Sequence, residues 1–205
     1  MINRNIILAA KITSLVFTPF YLPLVALTML FLFSYLSLLP LFYKVFVLSL
    51  VYLTTILLPT FLIRLYRKYQ NWSLLQISFR ERRLVPYIVS IMCYCLCLYL
   101  MYFIHIPHFM GSIVMAALSI QIVCAIVNIW YKISTHTAGI GGMCGAVAAF
   151  SLIFVFNPVW WLSVIFLLGG VVGTARMILR QHTLMQVVGG YVIGAIAAFF
   201  SILLI

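Results

Sequence analysis

The sequence has almost no acidic residues. Its 205 residues include a single Asp or Glu, which is Glu81, beside twelve Lys and Arg. A magnesium or manganese site built from several carboxylates is therefore excluded. The two-carboxylate glycosidase mechanism and the Ser-His-Asp triad are excluded for the same reason. Any chemistry in this protein must use histidine, arginine, lysine, hydroxyl groups and the backbone.

Charged residues of either sign are also scarce. They make up 6% of the chain, 67% of its residues are hydrophobic, and the mean hydropathy is +1.28. Soluble domains carry about 25% charged residues. The apolar runs approach the ~20 residues that a helix needs to cross a bilayer. We therefore predict an all-α integral membrane protein, a polytopic transmembrane helix bundle of six or seven spans.

The apolar segments are predicted to form a single membrane domain over residues 1–205. An N-terminal hairpin over 12–63 would be followed by an interfacial polar segment, 64–86, and by a helical core over 87–205. Pro19 and Pro23 predict a bend in the first span, and they also allow a re-entrant segment there. The predicted spans are 12–39, 42–63, 87–105, 110–130, 139–157, 159–178 and 186–205.

Glycine is absent from the first 110 residues, and ten of the eleven glycines lie between Gly139 and Gly194. The last three predicted spans each contain a G-x-x-x-G pair. Small residues four apart allow helix backbones to approach closely in lipid. The pattern therefore predicts a close-packed, Gly-rich three-helix core in the C-terminal half. The pairs are Gly141/Gly145, Gly169/Gly173 and Gly190/Gly194.

Two polar clusters flank these glycine-rich spans: WYKISTHTAGIGG, residues 130–142, and ARMILRQHTLMQVVGGYVIG, residues 175–194. Two predicted spans separate them, and two more separate the first cluster from 64–86, so all three would lie at one membrane face. Several cations and two histidines with hardly any acid are suited to phosphoryl transfer, where positioning and charge stabilisation dominate. The residues that would converge there are Arg80, Arg82, Arg83, Lys132, His136, Arg176, Arg180 and His182.

The second cluster resembles a motif of the type 2 phosphatidic acid phosphatase (lipid phosphatase) superfamily. Arg176-x5-His182-x3-Gln186 is similar to that family's third motif, S-R-x5-H-x3-D, with Ala175 at the Ser position and Gln186 at the Asp position. A glutamine can accept a hydrogen bond from the His182 ring, but it does not stabilise an imidazolium as a carboxylate does.

The family's other two motifs have weaker counterparts. STHT, Ser134 to Thr137, resembles the second motif, P-S-G-H. The best candidate for the first motif, K-x6-R-P, is RERRLVP, Arg80 to Pro86, although two predicted spans lie between it and Ser134. The resemblance covers about residues 130–194 and leaves the first half of the chain without a counterpart.

The resemblance implies a role for each matching residue. His182 would be the catalytic nucleophile, His136 the general acid, and Gln186 would orient His182. Arg176 would bind phosphoryl oxygens, and Ser134 would donate a hydrogen bond to them. The remaining phosphate-binding candidates are Arg83, Arg80, Thr135 and Lys132.

The sequence thus favours a membrane phosphatase that removes phosphate from a lipid phosphate or diphosphate, through a phosphohistidine intermediate and without metal or cofactor. The alternative is a catalytically weak or inactive relative that binds phospholipid or scaffolds a membrane complex. A nucleic-acid partner is not expected, because the charges are divided among membrane-edge loops, and a homo-oligomer is compatible with the sequence. An ion-coupled transporter is disfavoured by the lack of intramembrane acids and of an inverted repeat.

The distribution of Lys and Arg predicts the orientation. With seven spans, Lys44 lies alone on one face and the other eleven cations lie on the face of the polar clusters. When the six cations of the candidate site are set aside, five cations remain on the face of the polar clusters and one on the opposite face. Because basic loops stay in the cytoplasm, we expect this face to be cytoplasmic, in a bacterial inner membrane.

Three further patterns in the sequence support narrower predictions. Cys93, Cys95 and Cys97 are predicted to be apolar core residues rather than a metal site. The pair His105 and His108 lies at the opposite face without a third ligand nearby in sequence. Residues 64–79 predict an interfacial helix with Trp72 as a head-group anchor, which would either fasten the hairpin or deliver a lipid head group to the site.

Overall fold

The computed structural model describes residues 4–70 and 84–204, and every regular element in these ranges is helical. Seven helical segments are long and apolar enough to cross a membrane, which confirms the predicted polytopic all-α bundle. The α-helices are α1 Arg4–Val16, α2 Leu22–Phe33, α3 Leu41–Tyr52, α4 Leu58–Tyr69, α5 Leu84–Phe103, α6 His108–Trp130, α7 Thr135–Phe154, α8 Val159–Ile178 and α9 Leu184–Leu203.

The first span consists of α1 and α2 and is interrupted where the prolines predict a bend. A 3-10 turn over Pro19–Tyr21 separates the two helices, and Thr18 before it is extended. Proline has no N–H to donate and disfavours the helical conformation of the residue before it, which explains the interruption. Helix α1 already includes Arg4, upstream of the predicted start near residue 12, and Arg4 and Lys11 are both exposed on it.

The second span joins α3 to α4 through one π-helical turn, Leu53–Leu57. Helix α4 continues to Tyr69 instead of ending at the predicted boundary near residue 63. Arg64, Arg67 and Lys68 therefore belong to the end of this transmembrane helix, not to a separate interfacial helix. Residues 71–83 of the predicted interfacial segment, including Trp72, Arg80, Arg82 and Arg83, lie outside the described residues, and 84–86 belong to the start of α5 rather than to that segment.

Helices α7 and α9 form the closest helix pair of the bundle. A Cβ atom added to Gly141 or Gly145 of α7 would collide with the backbone carbonyl oxygen of Tyr191 or Ala195 on α9. Glycine is therefore required at these positions, because the two backbones touch where the residues face each other.

Helix α8 joins this pair through side chains rather than through backbone contact. A Cβ atom on Gly169 would lie 2.7 Å from the Tyr191 ring, and one on Gly173 would lie 2.7 Å from Val187. The predicted three-helix core is thus a tight α7–α9 pair with α8 packed on it. Helix α1 packs against the outer side of α8, which brings the first span to the C-terminal core.

The minor patterns of the sequence lie away from this core. Cys93 and Cys97 are buried among apolar neighbours, whereas Cys95 is exposed on the other side of α5. His105 and His108 are exposed at the end of the bundle opposite to the N-termini of α7 and α9. Within the described ranges, no three His, Cys or acidic residues come close enough to hold a metal ion.

Candidate functional site

The N-termini of α7 and α9 meet at one end of the bundle and bring the two polar clusters together. The Ser134 N–H donates a hydrogen bond to the carbonyl oxygen of Gln186 over 3.2 Å. Gly190 permits this approach, because a Cβ atom there would lie only 2.6 Å from the Ser134 carbonyl oxygen. Helix N-termini carry partial positive charge and unpaired N–H groups, so this end of the bundle favours an anion.

His182 lies just before α9 and contacts Gln186 one turn later. The His182 Nδ1 atom is 3.1 Å from Gln186 Oε1, and the backbone N–H of Thr183 donates to the same Oε1 over 3.3 Å. A backbone N–H can only donate, so this contact fixes the oxygen of the Gln186 amide on the side of the histidine. Gln186 is the third residue of α9, where a side chain that accepts a hydrogen bond from the N-cap backbone also begins the helix.

The orientation of the Gln186 amide determines the tautomer of His182. Because Oε1 can only accept, the Nδ1 atom of His182 must carry the proton and donate it. In the neutral ring the lone pair then resides on Nε2, which is buried, and the whole side chain is 6% exposed. An imidazole with its second nitrogen fixed by a hydrogen bond is the arrangement that a nucleophilic or basic histidine requires.

Arg176 reaches the same end of the bundle from the last turn of α8. It is 8% exposed, and its Nη1 atom donates to the Ser14 hydroxyl of α1 over 2.6 Å. A bond this short to a charged donor holds the guanidinium firmly. Ser14 was not predicted as a site residue, because a serine within an apolar span usually bonds to its own helix and nothing in the sequence indicates another partner.

A tight turn connects Arg176 to His182. The Gln181 N–H donates to the Arg176 carbonyl oxygen over 3.2 Å, and Arg180 has a left-handed backbone conformation with φ of 52°. This pattern is typical of a helix C-terminus that reverses direction. The turn therefore fixes the separation between the arginine and the histidine, and the Arg180 side chain is exposed beside them.

The remaining predicted residues of the first cluster lie around the start of α7. The helix begins at Thr135 rather than at 139, so Thr135 and His136 occupy its first turn, half-buried. Ser134 is the N-cap, and its hydroxyl accepts from the Thr137 N–H over 3.4 Å, which leaves the hydroxyl proton available for another acceptor. Lys132 is half-buried in the preceding loop. Arg80 and Arg83 lie outside the described ranges.

In comparisons with known proteins, no family model, curated protein or solved structure matches the chain.

Proposed function

We propose that this integral membrane protein is a phosphatase of the type 2 phosphatidic acid phosphatase kind, acting on a lipid phosphate or diphosphate. The observation that carries the proposal is the Thr183–Gln186–His182 hydrogen-bond chain, because it leaves the lone pair of His182 on Nε2. In the first step, Nε2 attacks phosphorus and the bond to the lipid oxygen breaks. His136 donates its proton to that leaving oxygen.

The second step regenerates the enzyme. A water molecule attacks the phosphorus of the phosphohistidine, gives its proton to His136, and releases inorganic phosphate and neutral His182. Arg176 and the N-termini of α7 and α9 supply positive charge to the phosphoryl oxygens in both transition states. Ser134, Thr135 and Lys132 border the same end of α7 and complete the proposed phosphate-binding set, with Arg80 and Arg83 as further candidates. No metal or cofactor takes part in this scheme.

Gln186 makes the proposed enzyme slower than one with a carboxylate at that position. Attack by Nε2 places a positive charge on the imidazole ring, and the neutral amide stabilises this charge only weakly. In a protease triad, exchange of the orienting carboxylate for an amide lowers the rate by ~10⁴. The same observation favours the second candidate function, a phospholipid-binding protein without turnover, since Gln186 also serves to begin α9.

The proposed substrate lies in the membrane and reaches the site laterally from the bilayer. We place the protein in a bacterial inner membrane with the site toward the cytoplasm. The asymmetry of its cations supports this orientation: Lys44, bonded to the Ser37 carbonyl oxygen, lies on one face, and the described cations of the other spans lie on the site face.

The decisive experiment measures phosphate release by the purified protein in detergent with EDTA, over a panel of lipid phosphates and diphosphates. Release by the wild type that is absent from His182→Ala supports the phosphatase. Absence of release over the whole panel, with binding of anionic lipid lost in Arg176→Gln, supports the phospholipid-binding alternative instead.

A further inference from the structure

A partly open cavity lies inside the bundle between the first span and helices α5, α6 and α7. It has a volume of about 50 Å³, several times the ~10–15 Å³ that one water molecule needs. Its walls are mostly apolar and include Pro19 and Pro23 of the first span and Gly139, Gly142 and Met143 of α7. The interruption of the first span therefore lines this space, and irregular backbone at membrane depth is tolerated in such places.

Two polar side chains face the cavity from α5 and α6. Tyr94 is 0% exposed, and within the described part of the chain its buried hydroxyl has no hydrogen-bond partner. Gln121 is 7% exposed and lines the same space. More than nine in ten buried polar groups in folded proteins are hydrogen-bonded, so the Tyr94 hydroxyl indicates an acceptor that enters the cavity.

The polar pair lies deeper in the bundle than the candidate phosphate site, with Tyr94 midway along α5. Thr135, at the start of α7, borders the cavity at the site end. Gly142 lies seven residues further along α7, about 10 Å deeper at 1.5 Å per residue. A Cβ atom on Gly142 would touch Ile120, the neighbour of Gln121, so Gln121 lies at this depth. None of the described residues that line the cavity is charged.

We propose that this cavity binds the apolar chain of a membrane amphiphile that carries a carbonyl or hydroxyl oxygen partway along its length. The Tyr94 hydroxyl and the Gln121 amide N–H both donate to this oxygen. The ligand group is neutral, because the described residues of the cavity wall would supply no counter-ion and an unpaired charge is strongly disfavoured among apolar side chains. This binding goes beyond phosphate hydrolysis and does not require it, since Gln121 lies about 10 Å deeper along the bundle than Thr135 at the phosphate site.

A photolabelling competition tests the proposal on the purified full-length protein in lipid nanodiscs. The probe is a long-chain ketone with its carbonyl at mid-chain and a photoactivatable diazirine at one end. We expect it to label peptides of α5, α6 or α7. The same ketone without the diazirine should compete about three- to tenfold better than the alkane of equal length, the fold-change of one or two net hydrogen bonds.

Substitutions test which side chains cause the preference for the ketone over the alkane. Tyr94→Phe and Gln121→Leu preserve side-chain size and should each reduce the advantage of the ketone over the alkane. Tyr99→Phe is the control, because Tyr99 lies on the same helix and is 63% exposed. Equal competition by ketone and alkane on the wild type would overturn the proposal without any variant. A ketone preference that persists in both Tyr94→Phe and Gln121→Leu would also overturn it.

Discussion

His182 and Gln186 face each other across one turn, with Nδ1 of the histidine 3.1 Å from Oε1 of the glutamine. Gln186→Glu keeps the length of the side chain and the hydrogen bond from Thr183 while adding a negative charge beside the imidazole. We expect the kcat for lipid phosphate to rise at least tenfold, within the ~10⁴ limit of the protease precedent.

Two further variants at this position make the result specific. Gln186→Asp adds the same charge on a side chain one methylene shorter, so we expect a smaller increase. Gln186→Met removes both hydrogen bonds and should lower both kcat and the melting temperature. If Gln186→Glu leaves kcat unchanged while the protein stays folded, the site does not form a cationic imidazole.

The second prediction concerns the two histidines. His182→Ala should abolish phosphate release, and His136→Ala should slow it by about 10²–10⁴, the usual contribution of a general acid. EDTA should change neither the activity of the wild type nor the lower activities of the two variants. His105→Ala is the matched control, since His105 is exposed at the opposite end of the bundle. Activity that persists in His182→Ala would exclude the phosphohistidine mechanism.

The third prediction follows from the contact between α1 and α8. Ser14→Ala removes the hydroxyl that accepts from Arg176 and leaves the guanidinium without this anchor. We expect KM for the lipid phosphate to rise about tenfold, in line with hydrogen bonds to charged groups. Thr13→Ala is the control, because the Thr13 hydroxyl bonds to the Ala9 carbonyl oxygen of its own helix. An equal effect of both substitutions would mean that α1 acts only through packing.

The fourth prediction uses two adjacent glycines of α9. Gly190→Ala places a Cβ atom 2.6 Å from the Ser134 carbonyl oxygen, whereas Gly189→Ala meets nothing within 4 Å. We expect Gly190→Ala to lower the free energy of unfolding by about 1–3 kcal/mol, as overpacking does. Gly189→Ala should be neutral or slightly stabilising, since alanine favours the helix. Thermal melts of the two proteins in one detergent give the comparison, and similar losses of stability would contradict the close α7–α9 contact.

The fifth prediction is topological. With the polar clusters in the cytoplasm, the end of α9 lies on the outer side of the membrane. Alkaline phosphatase fused after this helix should be active, and green fluorescent protein at the same place should be dark. Fusions in the loop between α8 and α9 should give the reverse pattern. An active phosphatase fusion in that loop would place the site outside.

The length and spacing of apolar segments were sufficient to predict six or seven spans, and the prolines predicted the break at Pro19. Counting spans also predicted that the start of α7 and the start of α9 lie at one end, which the Ser134–Gln186 hydrogen bond confirms. Local periodicity did not predict that Ser14 meets Arg176, because these residues are far apart in the chain and only the packing of α1 on α8 brings them together. The tautomer of His182 depends on the Thr183 backbone N–H, and the sequence signal for that contact was the T-x-x-Q capping box of Thr183 and Gln186, which hydropathy does not register.

The first turn of α7 shows a different limit of predicting helix boundaries from the sequence. The prediction began the helix at 139, after the polar residues, because apolar content was used to locate the span. The helix instead begins at Thr135, since Ser134 caps it and small polar residues fit its first turn. Capping signals and membrane hydropathy therefore indicate different boundaries where a polar site is built on the end of a transmembrane helix.

The left-handed backbone of Arg180 has a consequence for how this protein can change. An arginine in that conformation is less stable than a glycine by about 1 kcal/mol, because its Cβ atom crowds the following carbonyl oxygen. Arg180→Gly would therefore stabilise the turn between Arg176 and His182. It would also remove a positive charge from the edge of the site. Selection for robustness alone would favour that exchange, whereas selection for an anionic ligand would resist it. In homologous chains, glycine at this position would indicate selection for stability, and arginine would indicate selection for an anionic ligand.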